Sequence, residues 1–207
     1  MTTLTYVLIA LAVGFALGRY RAHAFQNRGE ARIARILSSA FSAPDYHLMN
    51  HITLPLKDGT TQIDHILVSR FGVFVIETKD YKGWIFGNPK QATWTQVLFK
   101  RKFRFQNPIF QNYLHVRAVQ DLLDFLPPEA VRSVVVFAGE GVFKTPLPEG
   151  VCYLRGVVQH VAEHQDEVLS LNRVQFCVGR LETARLAITR ATDVEHVERL
   201  QRRHGAA

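Results

Sequence analysis

Apolar and polar positions along the chain alternate between helical and strand periods. Residues 2 to 18, "TTLTYVLIALAVGFALG", form an apolar run without a charge, and Arg19, Arg21, His23 and Arg28 follow it. Gly29 to Phe41 places Ile33, Ile36, Leu37, Ala40 and Phe41 at helical spacing, with Glu30 in the first turn and Pro44 as a stop. "YHLMNHITL" (46 to 54) alternates as a strand does, and Asp58-Gly59 supplies a turn. Two β-branched runs, 61 to 68 and 73 to 79, flank "SRFG" and predict a hairpin. "WTQVLF" and "KFRF" predict a second strand pair joined near Lys100 and Arg101. Asn107-Pro108 then sets an N-cap and an N1 proline at the head of a helix that reaches about Leu126, before Pro127 and Pro128. "VRSVVVFA" (131 to 138) is apolar throughout, as a strand covered on both faces is; "VCYLR" (151 to 155) is a shorter partner, and the remainder is helical in pattern. This order predicts an α/β sandwich with a mixed central sheet flanked by helices.

At 207 residues the chain accommodates one domain with a real core plus appendages. Residues 2–18 are expected to be a transmembrane anchor, 28–155 the domain, and 156–207 a C-terminal helical extension packed on it. Seventeen residues span roughly 25 Å, the short end of a membrane crossing. The basic cluster follows the apolar run rather than preceding it, so an uncleaved anchor fits better than a signal peptide. The positive-inside bias then predicts a single-pass membrane protein with its C-terminal domain in the cytoplasm. A buried or interfacial N-terminal helix is the alternative. The net charge of +7 fits a polyanionic partner, nucleic acid or an anionic membrane surface. Cys152 and Cys177 form no C-x-x-C and predict two buried, reduced thiols.

The hairpin carries the chemistry. A two-residue loop at Arg70-Phe71 and a four-residue loop from Ser69 to Gly72 give the same register, with Asp64 opposite Glu77. Lys79, two residues on, projects from the same face as Glu77. Opposed carboxylates have β-carbons roughly 5 Å apart and repel each other unless something cationic lies between them. Mg²⁺ favours one or two carboxylates with waters and phosphate oxygens, so an acid pair beside a lysine suits phosphodiester chemistry. The same pattern also describes solvated strand ends with Lys79 neutralising one acid.

These residues resemble the nuclease-related domain (NERD) family, a branch of the PD-(D/E)xK nuclease superfamily. The matching words are Gly29-Glu30, "QIDHILVSRFGVFVIETKDYKGWIFG", "WTQ" at 94 to 96 and "QNPIFQN" at 106 to 112. The resemblance implies a restriction-endonuclease-like fold and a metal-dependent nuclease, with Mg²⁺ or Mn²⁺ as cofactor and DNA as substrate. It further implies that Asp64 and Glu77 bind the metal and that Lys79 is the signature lysine. Glu30 is then the acid on the preceding helix, and Gln111 opens a Gln-x-x-x-Tyr element whose fifth position here is His115. A catalytically silent nucleic-acid- or protein-binding module at the membrane is the alternative.

"FKRKFRFQNP" (99 to 108) interleaves Lys100, Arg101, Lys102 and Arg104 with Phe99, Phe103 and Phe105. The basic groups are candidates for DNA contact; the phenylalanines are expected to face inward. His47 and His51 share a strand face without further ligands, which predicts a surface or packing role. His65 is expected on the opposite sheet face from Asp64, and Trp84 and Trp94 at the core or its rim.

Overall fold

In the computed structural model of the chain, residues 28–186 are described. Helix α1 covers residues 28–40 and buries Ile33 and Leu37, one turn apart. Strands β1 (Tyr46–Leu56), β2 (Gly59–Ser69) and β3 (Gly72–Lys79) follow as an antiparallel meander. The β2–β3 connection is the two-residue loop Arg70-Phe71, and the pairs His65↔Ile76 through Ser69↔Gly72 set the predicted register.

The chain then leaves this sheet. It forms β4 (Gly83–Phe86), β5 (Thr93–Leu98), β6 (Arg101–Gln106) and helix α2 (Pro108–Leu122). It returns as β7 (Val131–Phe137), parallel to β3, passes through β8 (Gly141–Phe143), and adds β9 (Val151–Tyr153) beside β7. Helices α3 (Val157–Ala162) and α4 (Leu171–Ala184) complete the described chain.

Two mixed sheets result, where one was predicted. The first has the order β1-β2-β3-β7-β9 and the second β6-β5-β4-β8. Neither β4 nor β8 was anticipated, because strands of four and three residues are too short to show a period. The C-terminal helical stretch is likewise broken, with no helix between α3 and α4.

The central strand β3 is buried almost throughout because both of its faces are covered. Val73 and Val75 pack with Val116 and Val119 of α2 and with Val174 and Leu181 of α4. Phe74 and Ile76 pack with Ile33 and Leu37 of α1 and with Val157 and Val161 of α3. A third cluster joins the sheets: Ile85 and Trp94 meet Phe137, with the Trp94 and Phe137 rings stacked at 6.3 Å. Cys152 and Cys177 are free and buried, and burial pushes both thiols well above their usual range, to about 12 and about 11.

One irregularity shapes the site. The β1–β2 ladder pairs Asn50 with His65 and Ile52 with Ile63, omitting His51 and Asp64 between them. His51 there has a left-handed backbone, with φ of 53°. The core-facing residues change parity across the gap, from Met49 and Ile66 on one side to Ile52 and Ile63 on the other. Strict alternation, the basis of the sequence reading, therefore fails at Asp64 itself.

Among the described residues no helix is long and apolar enough to cross a membrane. The predicted anchor at residues 2–18 lies outside them, as does the end of the predicted C-terminal extension, residues 187–207.

Candidate active site

The β2–β3 ladder ends at His65↔Ile76, so the next facing residues are Asp64 and Glu77. Beyond that point a side chain replaces the strand. Asp64 Oδ2 accepts the backbone N–H of Thr78 at 2.7 Å, closing the place where β2 would have bonded. Asp64 is thus unpaired along both of its neighbouring strands and held by its carboxylate.

Glu77 is 1% exposed and is engaged at both oxygens. Lys79 Nζ lies 2.5 Å from Oε1, and His115 Nε2 lies 3.3 Å from Oε2. Lys79 also donates to Gln111 Oε1 at 3.0 Å. His115 Nδ1 is 2.6 Å from Thr61 Oγ1. Nε2 thus faces the carboxylate without meeting hydrogen-bond geometry, and the ring is held at Nδ1 by the Thr61 hydroxyl.

Helix α2 delivers Gln111 and His115 from one face, a turn apart. Its start is fixed by Asn107, whose side chain accepts from Ile109 N–H at 2.9 Å and donates to the carbonyl of Gln91 at 2.8 Å. Asn112 ties the helix to the sheet, donating to the Val75 carbonyl at 2.9 Å and to Ser133 Oγ at 2.8 Å. Glu30 enters from α1 on the other layer, its Oε2 3.4 Å from His51 Nδ1.

The electrostatics follow from this crowding. Burial, then the charges of Glu77 and Glu30, raises the Asp64 carboxyl well above its usual range, although the Thr78 N–H and Lys79 oppose the shift. Glu30 is pushed up to about 7 by burial and by Glu77, with Lys79 opposing. For Glu77, burial works in the raising direction, but Lys79 and His115 outweigh it and hold the carboxyl below its ordinary value. Lys79 is raised: burial would lower it, and Glu77 more than compensates. Glu77 and Lys79 are therefore favoured as an ionised pair, while burial and mutual repulsion favour the protonated forms of Asp64 and Glu30.

The structure thus brings Glu30, Asp64, Glu77, Lys79 and Gln111 to one end of β3. Lys100, Arg101, Lys102 and Arg104 lie apart, exposed on the β5–β6 hairpin. The inward placement expected for its phenylalanines holds only in part: Phe105 is half-buried, but Phe103 is 46% and Phe99 94% exposed. Only the end of the hairpin near Trp94 and Phe105 reaches the core; towards Phe99 both strands overhang it, so alternation has no buried side there. His65 is fully buried and bonds Asn50 Oδ1 at 2.7 Å, and burial lowers it to about 4. His47 turns to Gln175 and His51 to Glu30, so the two do not converge.

Two partners escaped the sequence reading. Thr61 gave no signal. His115 stood where the resemblance expects a tyrosine, and its i+4 spacing from Gln111 already placed it on the site-facing side of α2.

An all-oxygen set of three buried carboxylates, Glu30, Asp64 and Glu77, has the donor chemistry of a hard divalent ion site. Among the described residues no three His, Cys, Asp or Glu side chains are already arranged to hold one. Lys79 and His115 occupy the oxygens of Glu77 instead.

The fold is a mixed α/β one with Asp64, Glu77 and Lys79 at the open end of a hairpin, and the chain belongs to the nuclease-related domain (NERD) family, whose pattern matches residues 26–138. It is also 39% identical over 201 residues to an uncharacterized protein of Bacillus anthracis, a match covering 95% of this chain and 86% of that one. No solved structure matches the chain.

Proposed function

We propose that the protein hydrolyses phosphodiester bonds in DNA with Mg²⁺ or Mn²⁺. The observation that carries this reading is the placement of Lys79 Nζ between Glu77 and Gln111, with Asp64 facing Glu77 across the open ladder. Asp64 and Glu77 would hold the ion, and Glu30 would supply a further oxygen or steady its neighbours. When bound, the ion supplies Lewis-acid activation of a phosphoryl oxygen and of water. Lys79 stabilises charge developing on the phosphate, and Gln111 orients the lysine and the attacking water. Loading the ion requires Glu77 to release Lys79 or His115.

Incubation of the full chain, in mild detergent, with labelled DNA and Mg²⁺ or Mn²⁺ tests this. Cleavage that is lost in Lys79→Ala is expected; equal products from both proteins overturn the reading.

The double engagement of Glu77 favours a second reading, a binding module that does not cut. Calorimetric titration separates them, since a module of that kind takes up no Mg²⁺ or Mn²⁺ through Asp64 and Glu77.

We also propose a membrane tether at residues 2–18 with the domain on the cytoplasmic side. Its support is the charge-free run followed by Arg19, Arg21 and Arg28. Release of the protein from membranes by alkaline carbonate would contradict it.

A further inference from the structure

The second sheet has one face against the core and one in solvent. Ile85 and Trp94 point inward. Directly paired residues share a face, so the rows Trp84↔Val97↔Lys102 and Phe86↔Thr95↔Arg104 both point outward. Trp84 is 53% and Phe86 40% exposed. On the other side of Trp84 its partner Val142 is also exposed, and Lys144 stands over the indole with Nζ 4.8 Å from the ring centroid.

A solvated sheet face is ordinarily polar. This one places two large aromatics side by side, two residues and about 7 Å apart along one strand, each in a row that ends in a cation. The charge is one-sided over these strands: residues 81–107, which build β4, β5 and β6, contain six Lys and Arg and no Asp or Glu. The face is tied to the candidate active site at both ends. β4 begins four residues after Lys79, and β6 runs through Asn107 into the helix that carries Gln111.

We propose that this outer face binds a single-stranded segment of nucleic acid, with Trp84 and Phe86 stacking on successive bases and Lys102, Arg104 and Lys144 contacting the phosphates. A paired duplex hides its base faces within the stack, whereas an unpaired strand offers them, so adjacent exposed aromatics select the single strand. The charge complementarity is with a polyanion, and the absence of acids from β4, β5 and β6 removes the repulsion that a phosphate chain would meet there. This deepens the nuclease reading by naming what the protein holds beside its carboxylates, and rests on that reading for the class of polymer.

The test is binding of the full chain to fluorescent oligothymidine in excess EDTA, so that cleavage and its failure do not enter. Single strands are expected to bind more tightly than a duplex of equal length. Trp84→Ala and Phe86→Ala are each expected to weaken binding about ten-fold or more, with Trp84→Phe largely restoring it. Lys102→Ala with Arg104→Ala should reduce the slope of log affinity against log salt by about 1.4. Because the substituted side chains are exposed, circular dichroism and melting temperature should match the parent. No binding of oligothymidine by the parent, unaltered binding in both aromatic variants, or equal losses on duplex overturns the proposal. So does Trp84-dependent binding to phosphatidylglycerol vesicles that oligothymidine does not displace. Loss of cleavage in Lys79→Ala with no aromatic effect on binding would leave the nuclease reading standing and remove this one.

Discussion

Thr61 and His115 meet at 2.6 Å between hydroxyl and imidazole, and through that contact β2 sets the orientation of a histidine that faces Glu77 from α2. Thr61→Val keeps the shape and removes the partner of a buried ring nitrogen. The variant is expected to lose about 1–2 kcal/mol of stability in urea unfolding. An unchanged midpoint would show that the ring is held without the hydroxyl.

Glu77 and Lys79 shift in the directions expected of one buried ion pair, and their side chains are almost wholly enclosed. Removing one partner strands the other. Lys79→Met should cost about 3–5 kcal/mol, while Glu77→Gln combined with Lys79→Met should recover a large part of it. A double-mutant cycle on urea midpoints measures the coupling, and a value near zero would mean that the pair is solvated in the folded protein.

Glu30 gives a pH dependence of defined sign. Its carboxyl stands at about 7 against an ordinary 4.5, so the folded protein holds the proton more tightly than the unfolded chain. The corresponding stability is fully present below pH 4.5 and is lost as pH rises to about 7. Asp64 is shifted in the same direction. Glu30→Gln should therefore gain on the parent across that window, by up to ~3 kcal/mol in metal-free buffer. Parallel stability curves for the two proteins would contradict this.

A divalent ion should reverse that loss. Above pH 7, Mg²⁺ or Mn²⁺ at a hundred-fold excess over its dissociation constant should stabilise the parent by about 2.7 kcal/mol and leave Asp64→Asn unaffected. Thermal melts with and without the ion decide it.

Gly83 lies where β4 begins, with φ of 77°, and a β-carbon there would sit 2.3 Å from the Val97 carbonyl oxygen. Gly83→Ala should cost about 2–3 kcal/mol and disturb the β4–β5 pairing. The amide signals of Trp84 and Val97 would report the change; unshifted resonances would show that the backbone yields freely.

The hairpin was legible because two β-branched runs on either side of Ser69 to Gly72 admit one register, whichever of the two loops closes them. The capped start of α2 was equally plain, since Asn107 and Pro108 act locally. What escaped depends on contacts distant in sequence. β4 and β8 exist because each pairs with the other, not because either has a period. The left-handed turn of the backbone at His51, and with it the change of parity around Asp64, carries no glycine or asparagine to mark it. Trp84 and Trp94 look alike in the sequence, yet one lies in the core and the other in solvent, a difference set by which side of the second sheet faces Phe137.

Thr78 is bonded to a carboxylate where its neighbours along β3 are bonded to strands. Its amide proton is consequently a resident probe of Asp64. Protonation of that acid, or its capture by an ion, must change the chemical shift and exchange rate of this one backbone hydrogen while leaving the rest of the ladder silent, so a single nuclear resonance can follow the state of the site in the intact protein.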